Sequence, residues 1–240
     1  MPFAPAAWAP SGVDNQRALS GVSRKVSFYD PIAAPASPSQ VNDEFTGSLN
    51  PLWIPVNWGL PTTKALSGVR NLVLKGSGNG DSLIGNMQPL PVGDFTAVLM
   101  WSYMSAGSAD SFAGICLADG YTVGAGTQHV LFWTSNPAVA IYPWTNYATA
   151  GAQAAWSVVA SKKGVRLSRL GATYYYYHTT DGYTWTLFNS ASTPAFTPAY
   201  IGFVTKLNSA GFEVDLSYFR LYNTATPADF GGGVTVPLSS

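Results

Sequence analysis

The chain has 240 residues and a formal net charge of zero, with 10% charged and 14% aromatic residues. Ordinary soluble domains carry about 25% charged residues, so this surface is charge-poor, and without a cationic field nucleic acid is excluded as the main partner. Aromatic residues suit pleated strands, while 24 glycines and 17 prolines suit frequent turns, so the composition predicts an all-β protein.

Residues 1–40 differ from the rest. Ala and Pro dominate, as in Ala33-Ala34-Pro35-Ala36-Ser37-Pro38. Proline forbids helix interiors and most ladder positions, which predicts extended, polyproline-like chain. Phe3, Trp8, Phe28 and Tyr29 are nevertheless too apolar for a solvated linker. The segment reads as an arm ordered by a surface it lies on, either a neighbouring subunit or its own domain. The N-terminus has no basic region followed by an apolar core, so no signal peptide is expected. No window approaches the roughly 18 apolar residues of a membrane span. Synthesis in the cytoplasm is the expectation.

From Asp43 onward, strands and turns alternate. Asn71–Lys75 runs into the glycine-rich Gly76–Asp81, a strand and a turn. Phe95–Trp101 is apolar on both faces, as a central strand requires. His129–Thr134 and Ala138–Tyr142 follow, and the chain from Pro143 to Tyr147 reads as a loop. Val165–Arg169 and Thr173–His178 form a hairpin around Leu170-Gly171-Ala172, and Asp181-Gly182 signals the next turn before Tyr183–Phe188. Tyr200–Lys206 and Phe212–Tyr222 close the series. No segment has a 3.6-residue apolar period. About a dozen short strands are most simply buried as two packed sheets.

Several of these segments resemble one family. Asp43-Glu44-Phe45-Thr46-Gly47-Ser48-Leu49-Asn50-Pro51-Leu52-Trp53 resembles the opening of concanavalin A-like modules. Gln88–Phe95 resembles their third strand. Arg169-Leu170-Gly171-Ala172-Thr173-Tyr174, followed by Thr180-Asp181-Gly182-Tyr183-Thr184-Trp185, resembles their hairpin, and Tyr200-Ile201-Gly202-Phe203 with Phe212–Tyr222 their closing strands. The resemblance spans residues 43–223 in the right order. It implies a concanavalin A-like jelly-roll β-sandwich of two curved antiparallel sheets. The domains are then an extended arm at 1–40, the sandwich at 41–225 and a Gly-containing tail at 226–240. The fold leaves function open, since it carries glycosidases, lectins and structural modules.

Catalytic chemistry finds little support. Glycoside hydrolysis uses two carboxylates about 5–10 Å apart, and the chain has two glutamates, Glu44 and Glu213. Glucanases of this fold resemble one another in a Glu-x-Asp-x-(x)-Glu strand. Here Glu213-Val214-Asp215 is followed by Leu216, Ser217 and Tyr218, and the pair reads as a polar face at a sheet edge. His129 and His178 lack metal spacing or a triad partner and read as strand histidines. Cys116, the single cysteine, lies in an apolar run and reads as a buried, inert thiol. Gly76–Gly80 lacks the Lys-Ser/Thr of a phosphate loop, and Lys162, Lys163, Arg166 and Arg169 read as a solvated hairpin cluster. Asn79, Asp81 and Asp119 show no clustered calcium pattern. No cofactor and no metal site is expected.

Binding is better supported. Aromatic rings stack on sugars, and Trp144 and Tyr147, with Tyr142 and Asn146, stand beside Pro143 in the expected loop. They read as ligand candidates or as core. Trp133 and Trp185, placed mid-strand, read as core. The sequence reading is therefore a non-catalytic display module of a virion, such as a bacteriophage head, tail or fibre component. Its arm docks on other virion proteins or on further copies of the chain, and it is a candidate binder of cell-surface glycans. Neither nucleic acid nor membrane insertion is expected. A free carbohydrate-binding lectin and a divergent glycosidase are the alternatives.

Overall fold

The computed structural model describes residues 41–45, 49–58, 63–67, 71–75, 83–105, 111–121, 129–134, 138–146, 149–150, 155–158, 162–192, 194, 196–207 and 213–224. The arm residues Phe3, Trp8, Phe28 and Tyr29, the tail 226–240 and Tyr147 lie outside them, as do Asn79 and Asp81.

Fifteen strands are described: β1 (Ile54–Trp58), β2 (Thr63–Ser67), β3 (Asn71–Lys75), β4 (Leu83–Pro89), β5 (Phe95–Met104), β6 (Ser111–Ala118), β7 (His129–Thr134), β8 (Ala138–Asn146), β9 (Thr149–Ala150), β10 (Ala155–Val158), β11 (Gly164–Leu170), β12 (Thr173–Thr179), β13 (Thr186–Ser192), β14 (Tyr200–Leu207) and β15 (Glu213–Tyr222). They form two antiparallel sheets, as the resemblance implies. Sheet A has the order β13-β12-β11-β5-β15-β3-β2. Sheet B has the order β1-β4-β14-β6-β7-β8-β10, with β9 on β8.

Period-two alternation sends one set of side chains inward from each sheet. On β5, Phe95, Ala97, Leu99 and Trp101 enter the core between the sheets, joined by Val165 and Leu167 of β11 and Tyr174 and Tyr176 of β12. Sheet B answers with Ile115 and Leu117 of β6, Phe132 of β7, Ile141 of β8 and Phe203 of β14. The expectation of a central strand at Phe95–Trp101 holds, because β5 lies between β11 and β15.

The opening motif clamps the sandwich shut. Asp43 exchanges two backbone hydrogen bonds with Phe219, at 2.9 and 2.8 Å. Its carboxylate accepts the Phe45 amide at 2.7 Å, the Asn50 amide at 3.2 Å and the Trp53 indole N–H at 2.8 Å. Trp53 then meets Phe203 and Phe219 edge-on at 5.2 and 5.3 Å, and Phe45 meets Phe203 at 5.2 Å. Glu44 bonds Arg220 Nε at 2.7 Å. The motif's spacing is thus the spacing needed to bring three donors around one carboxylate.

The two turns of the second motif also have physical causes. Gly171 adopts φ 59° in the β11–β12 turn, and its amide donates to Asp94 at 2.7 Å. Asp181 accepts the Tyr183 and Thr184 amides, both at 2.8 Å. These bonds favour the ionised form and hold its pKa at about 2. Gly182 follows at φ 88°. The strand expected at Tyr183–Phe188 therefore starts later, at Thr186, because Asp181 holds residues 183 and 184 in its turn.

Candidate functional site

Both sheets carry apolar side chains on their outer faces, where a sandwich usually turns polar residues to water. On sheet B the strand register builds rows across the face. Tyr200 pairs with Ala118, Ala118 with His129, and His129 with Trp144. In the next row Gly202 pairs with Cys116, Cys116 with Leu131, and Leu131 with Tyr142. Small residues thus occupy the middle of the face. Cys116, Ala118, Ala140 and Val204 are buried there with Met87 and Phe112, and the half-buried rings of Tyr142, Trp144 and Tyr200 pack on them. Tyr121, 38% exposed, extends this ring set, meeting Tyr200 edge-on at 5.0 Å.

This face is concave along one diagonal. Lys206 Nζ lies 6.0 Å from the Trp144 ring centroid. Strands β14 and β8 are three strand spacings apart, about 14 Å, and Lys206 is six residues further along than the row of Trp144, about 20 Å. On a flat sheet the two side chains would not approach each other, so twist and curvature must lift these corners together. The result is a twisted face on which half-buried aromatic rings pack against fully buried small side chains.

Tyr142 and Trp144 come together on this face, but in strand β8 and not in the expected loop. Proline was the misleading signal. Pro143 pairs with Val130 of β7, and on its other side it falls between the stretch paired with β10 and that paired with β9, where no ladder donor is required of it. Asn146 ends β8; its side chain lies outside the described residues. Tyr121 and Tyr200 were missed, although Tyr200 was already in an expected strand and Tyr121 follows an apolar run. Cys116 is buried on the same face, and burial pushes its thiol pKa up.

Sheet A presents a different outer face. Val98, Tyr177, Trp185 and Tyr222 are buried together, with Met100, Tyr175 and Tyr218 packed around them. Arg166 lies among them with its guanidinium 3.8 Å above the Tyr177 ring and 5.5 Å from Trp185. Half of the basic cluster expected to be solvated is withdrawn: Arg166 and Lys162 are buried, and burial lowers the pKa of both, that of Lys162 to about 8, while Lys163 is exposed and Arg169 partly so. An arginine on this face buries its stem and stacks its planar head, so burial and charge coexist. Trp185 precedes β13 and belongs to this satellite cluster, not to a mid-strand core position. His178 is a buried residue of β12; burial, then the nearby Lys162 charge, lower its pKa. The side chain of His129, like that of Trp133, lies outside the described residues.

Glu213 and Asp215 flank the core residue Val214 on β15 and so face outward from sheet A. They are not at a sheet edge, since β15 lies between β5 and β3. Among the described residues, no three His, Cys, Asp or Glu side chains gather as metal ligands would, and no helix is long and apolar enough to cross a membrane.

No protein-family model matches the sequence, and no curated protein sequence is similar to it. Solved structures do share the fold. The exoplasmic/lumenal domain of VIP36, in a Ca2+/Man3GlcNAc-bound form, gives a TM-score of 0.54 at 10% identity, over 75% of this chain and 89% of that one. The GH43 protein BlXynB from Bacillus licheniformis gives 0.54 at 12% identity, over 76% of this chain and 39% of that one. An engineered GH43 glycoside hydrolase with endo-xylanase and exo-arabinofuranosidase activity gives 0.53 at 16% identity, over 80% and 42%. The chain spans about two fifths of the length of these two GH43 structures. The architecture is a concanavalin A-like β-sandwich.

Proposed function

We propose that the chain is a non-catalytic glycan-recognition module whose binding surface is the curved outer face of sheet B. The observation that carries this reading is the ring set Tyr121, Tyr200, Trp144 and Tyr142, partly exposed and gathered on one sheet face over a buried cluster of small residues. Pyranose rings present apolar C–H faces that stack on aromatic rings, and a concave surface with few placed polar groups is the usual form of a ligand site. The non-catalytic part draws on position. Glu44 is ion-paired with Arg220, and Glu213 and Asp215 face outward from sheet A, on the opposite side of the sandwich from these rings. Support for the wider setting, a bacteriophage virion on which residues 1–40 dock, comes from the Pro/Ala-rich arm with its four aromatic anchors and from the low charge.

A glycan array tests the binding surface. The native chain should give signals that Tyr121→Ala and Trp144→Ala each abolish, while Tyr183→Ala, an exposed ring near sheet A, leaves them intact. No glycan signal from the native chain, or signals that survive both substitutions, would overturn the assignment. Turnover on a polysaccharide panel, lost in a Glu213→Gln, Asp215→Asn double variant, would overturn the non-catalytic part alone.

A further inference from the structure

Charge is distributed very unequally between the two sheets. Sheet A holds both signs, with Arg166, Arg220, Glu213 and Asp215 among its residues. The described strands of sheet B hold a single Asp, Glu, Lys or Arg, which is Lys206 of β14. Alternation fixes its side. Ile201 and Phe203 of the same strand enter the core between the sheets, whereas Tyr200 and Val204 lie in the outer cluster, so Lys206 belongs to the outer face with the rings. The residue is 8% exposed, and its Nζ lies 6.0 Å from the Trp144 ring centroid. Lysine stems lie along apolar surface while the ammonium reaches its edge. The one formal charge in the strands of this sheet is thus held beside its tryptophan.

We propose that the glycan recognised on this face is acidic: a pyranose stacks on Trp144 and its carboxylate accepts from Lys206 Nζ, as in a uronic or sialic acid. The proposal rests on the reading of this face as a glycan surface. A charge-assisted N–H···O bond takes about 2.8 Å and a van der Waals contact about 3.5 Å. The 6.0 Å between Nζ and the ring is close to the span of one followed by the other. A carboxylate oxygen bonded to Nζ therefore lies at contact distance from the indole, where the sugar that carries it stacks. An ammonium has three donors, so a bond within the protein does not exhaust it. A neutral sugar has no use for the cation, and withdrawing an ammonium from water is unfavourable. Methionine, of similar shape, would fill the same place without that penalty. The strands of this face supply positive charge and no negative charge, so their field favours an anionic ligand.

Calorimetric titration with matched probes tests this: oligogalacturonate against the same oligomer after carboxyl reduction, and sialyllactose against lactose. The native chain should bind at least one acid about tenfold or more tighter than its neutral counterpart, the scale of one charge-assisted hydrogen bond. Lys206→Met should bring the acid down to the neutral level and leave the neutral probe unchanged, while Lys206→Arg keeps most of the preference. Equal affinity of the native chain for acid and neutral forms, or a preference that survives Lys206→Met, would overturn the proposal and leave the glycan surface standing. Binding to neither member of either pair would also overturn it, and the glycan array decides separately whether the surface stands. If Lys206→Met fails to fold, ionic strength decides in the native chain. The preference for the acid should shrink as salt rises; a preference indifferent to salt would sink the proposal.

Discussion

Asp43 Oδ2 accepts the indole N–H of Trp53 at 2.8 Å, ten residues along the chain. Both residues are buried, and the carboxylate has two further donors, the Phe45 and Asn50 amides. Asp43→Asn would turn an NH2 group toward N–H donors and leave at least one without an acceptor. The expected loss is about 1–3 kcal/mol, the usual cost of an unsatisfied buried group. It should appear as a lowered denaturation midpoint with unchanged slope; an unaltered midpoint would mean that the clamp contributes nothing.

Lys162 gives the protein a pH dependence of known sign. Burial lowers its pKa from 10.5 to about 8. Between those values the unfolded chain holds a proton that the folded chain has released, so stability rises with pH across that window. Below about pH 8 the buried charge is a full penalty. Lys162→Met should therefore stabilise the fold at pH 7, with the gain over the native chain shrinking as pH climbs through 8 to 10.5. Denaturant unfolding of both chains at pH 7 and pH 10 checks this, and a gain that grows with pH would contradict it.

Gly85 and Gly202 mark a close approach of β4 and β14. A Cβ at Gly202 would stand 1.9 Å from the Asn86 carbonyl oxygen and 2.8 Å from Met87 Cα. Both are backbone atoms in the paired strand, so no rotamer change relieves the clash. Gly202→Ala should cost more than about 4 kcal/mol, at the severe end of single substitutions, or yield no folded chain. A thermal midpoint within a few degrees of native would show that the strands can part cheaply.

Much of the architecture was legible because its signals are local and polar. Asp181 and Gly182 act within a few residues of themselves, and Asp43 gathers Phe45, Asn50 and Trp53 within ten, so their spacing survives in the sequence. The outer faces were not legible. Arg166 looks like a hairpin charge until Tyr177 and Trp185, from two other segments, close around it. Trp144 looks like a loop residue until the gap between β9 and β10 beside Pro143 is known. Tyr121 and Tyr200 join only through strand order, with β14 beside β6, an arrangement that alternation along one strand does not encode. The arm anchors Phe3, Trp8, Phe28 and Tyr29, like the tail 226–240, lie outside the described residues.

The Glu44–Arg220 bond joins residues 176 positions apart, and Asp43 pairs with Phe219 beside it. A ribosome adds roughly 5–20 residues per second, so the first half of this clamp waits on the order of ten to thirty-five seconds for the second to be made. For the later part of that interval β5 and β6 are already synthesised while β15 and β14, each a partner on one side, do not yet exist. The nascent chain therefore passes through a stage with β5 paired on one side only, to β11, and β6 on one side only, to β7, and its yield in a cell depends on what shields the open sides until the last strands arrive.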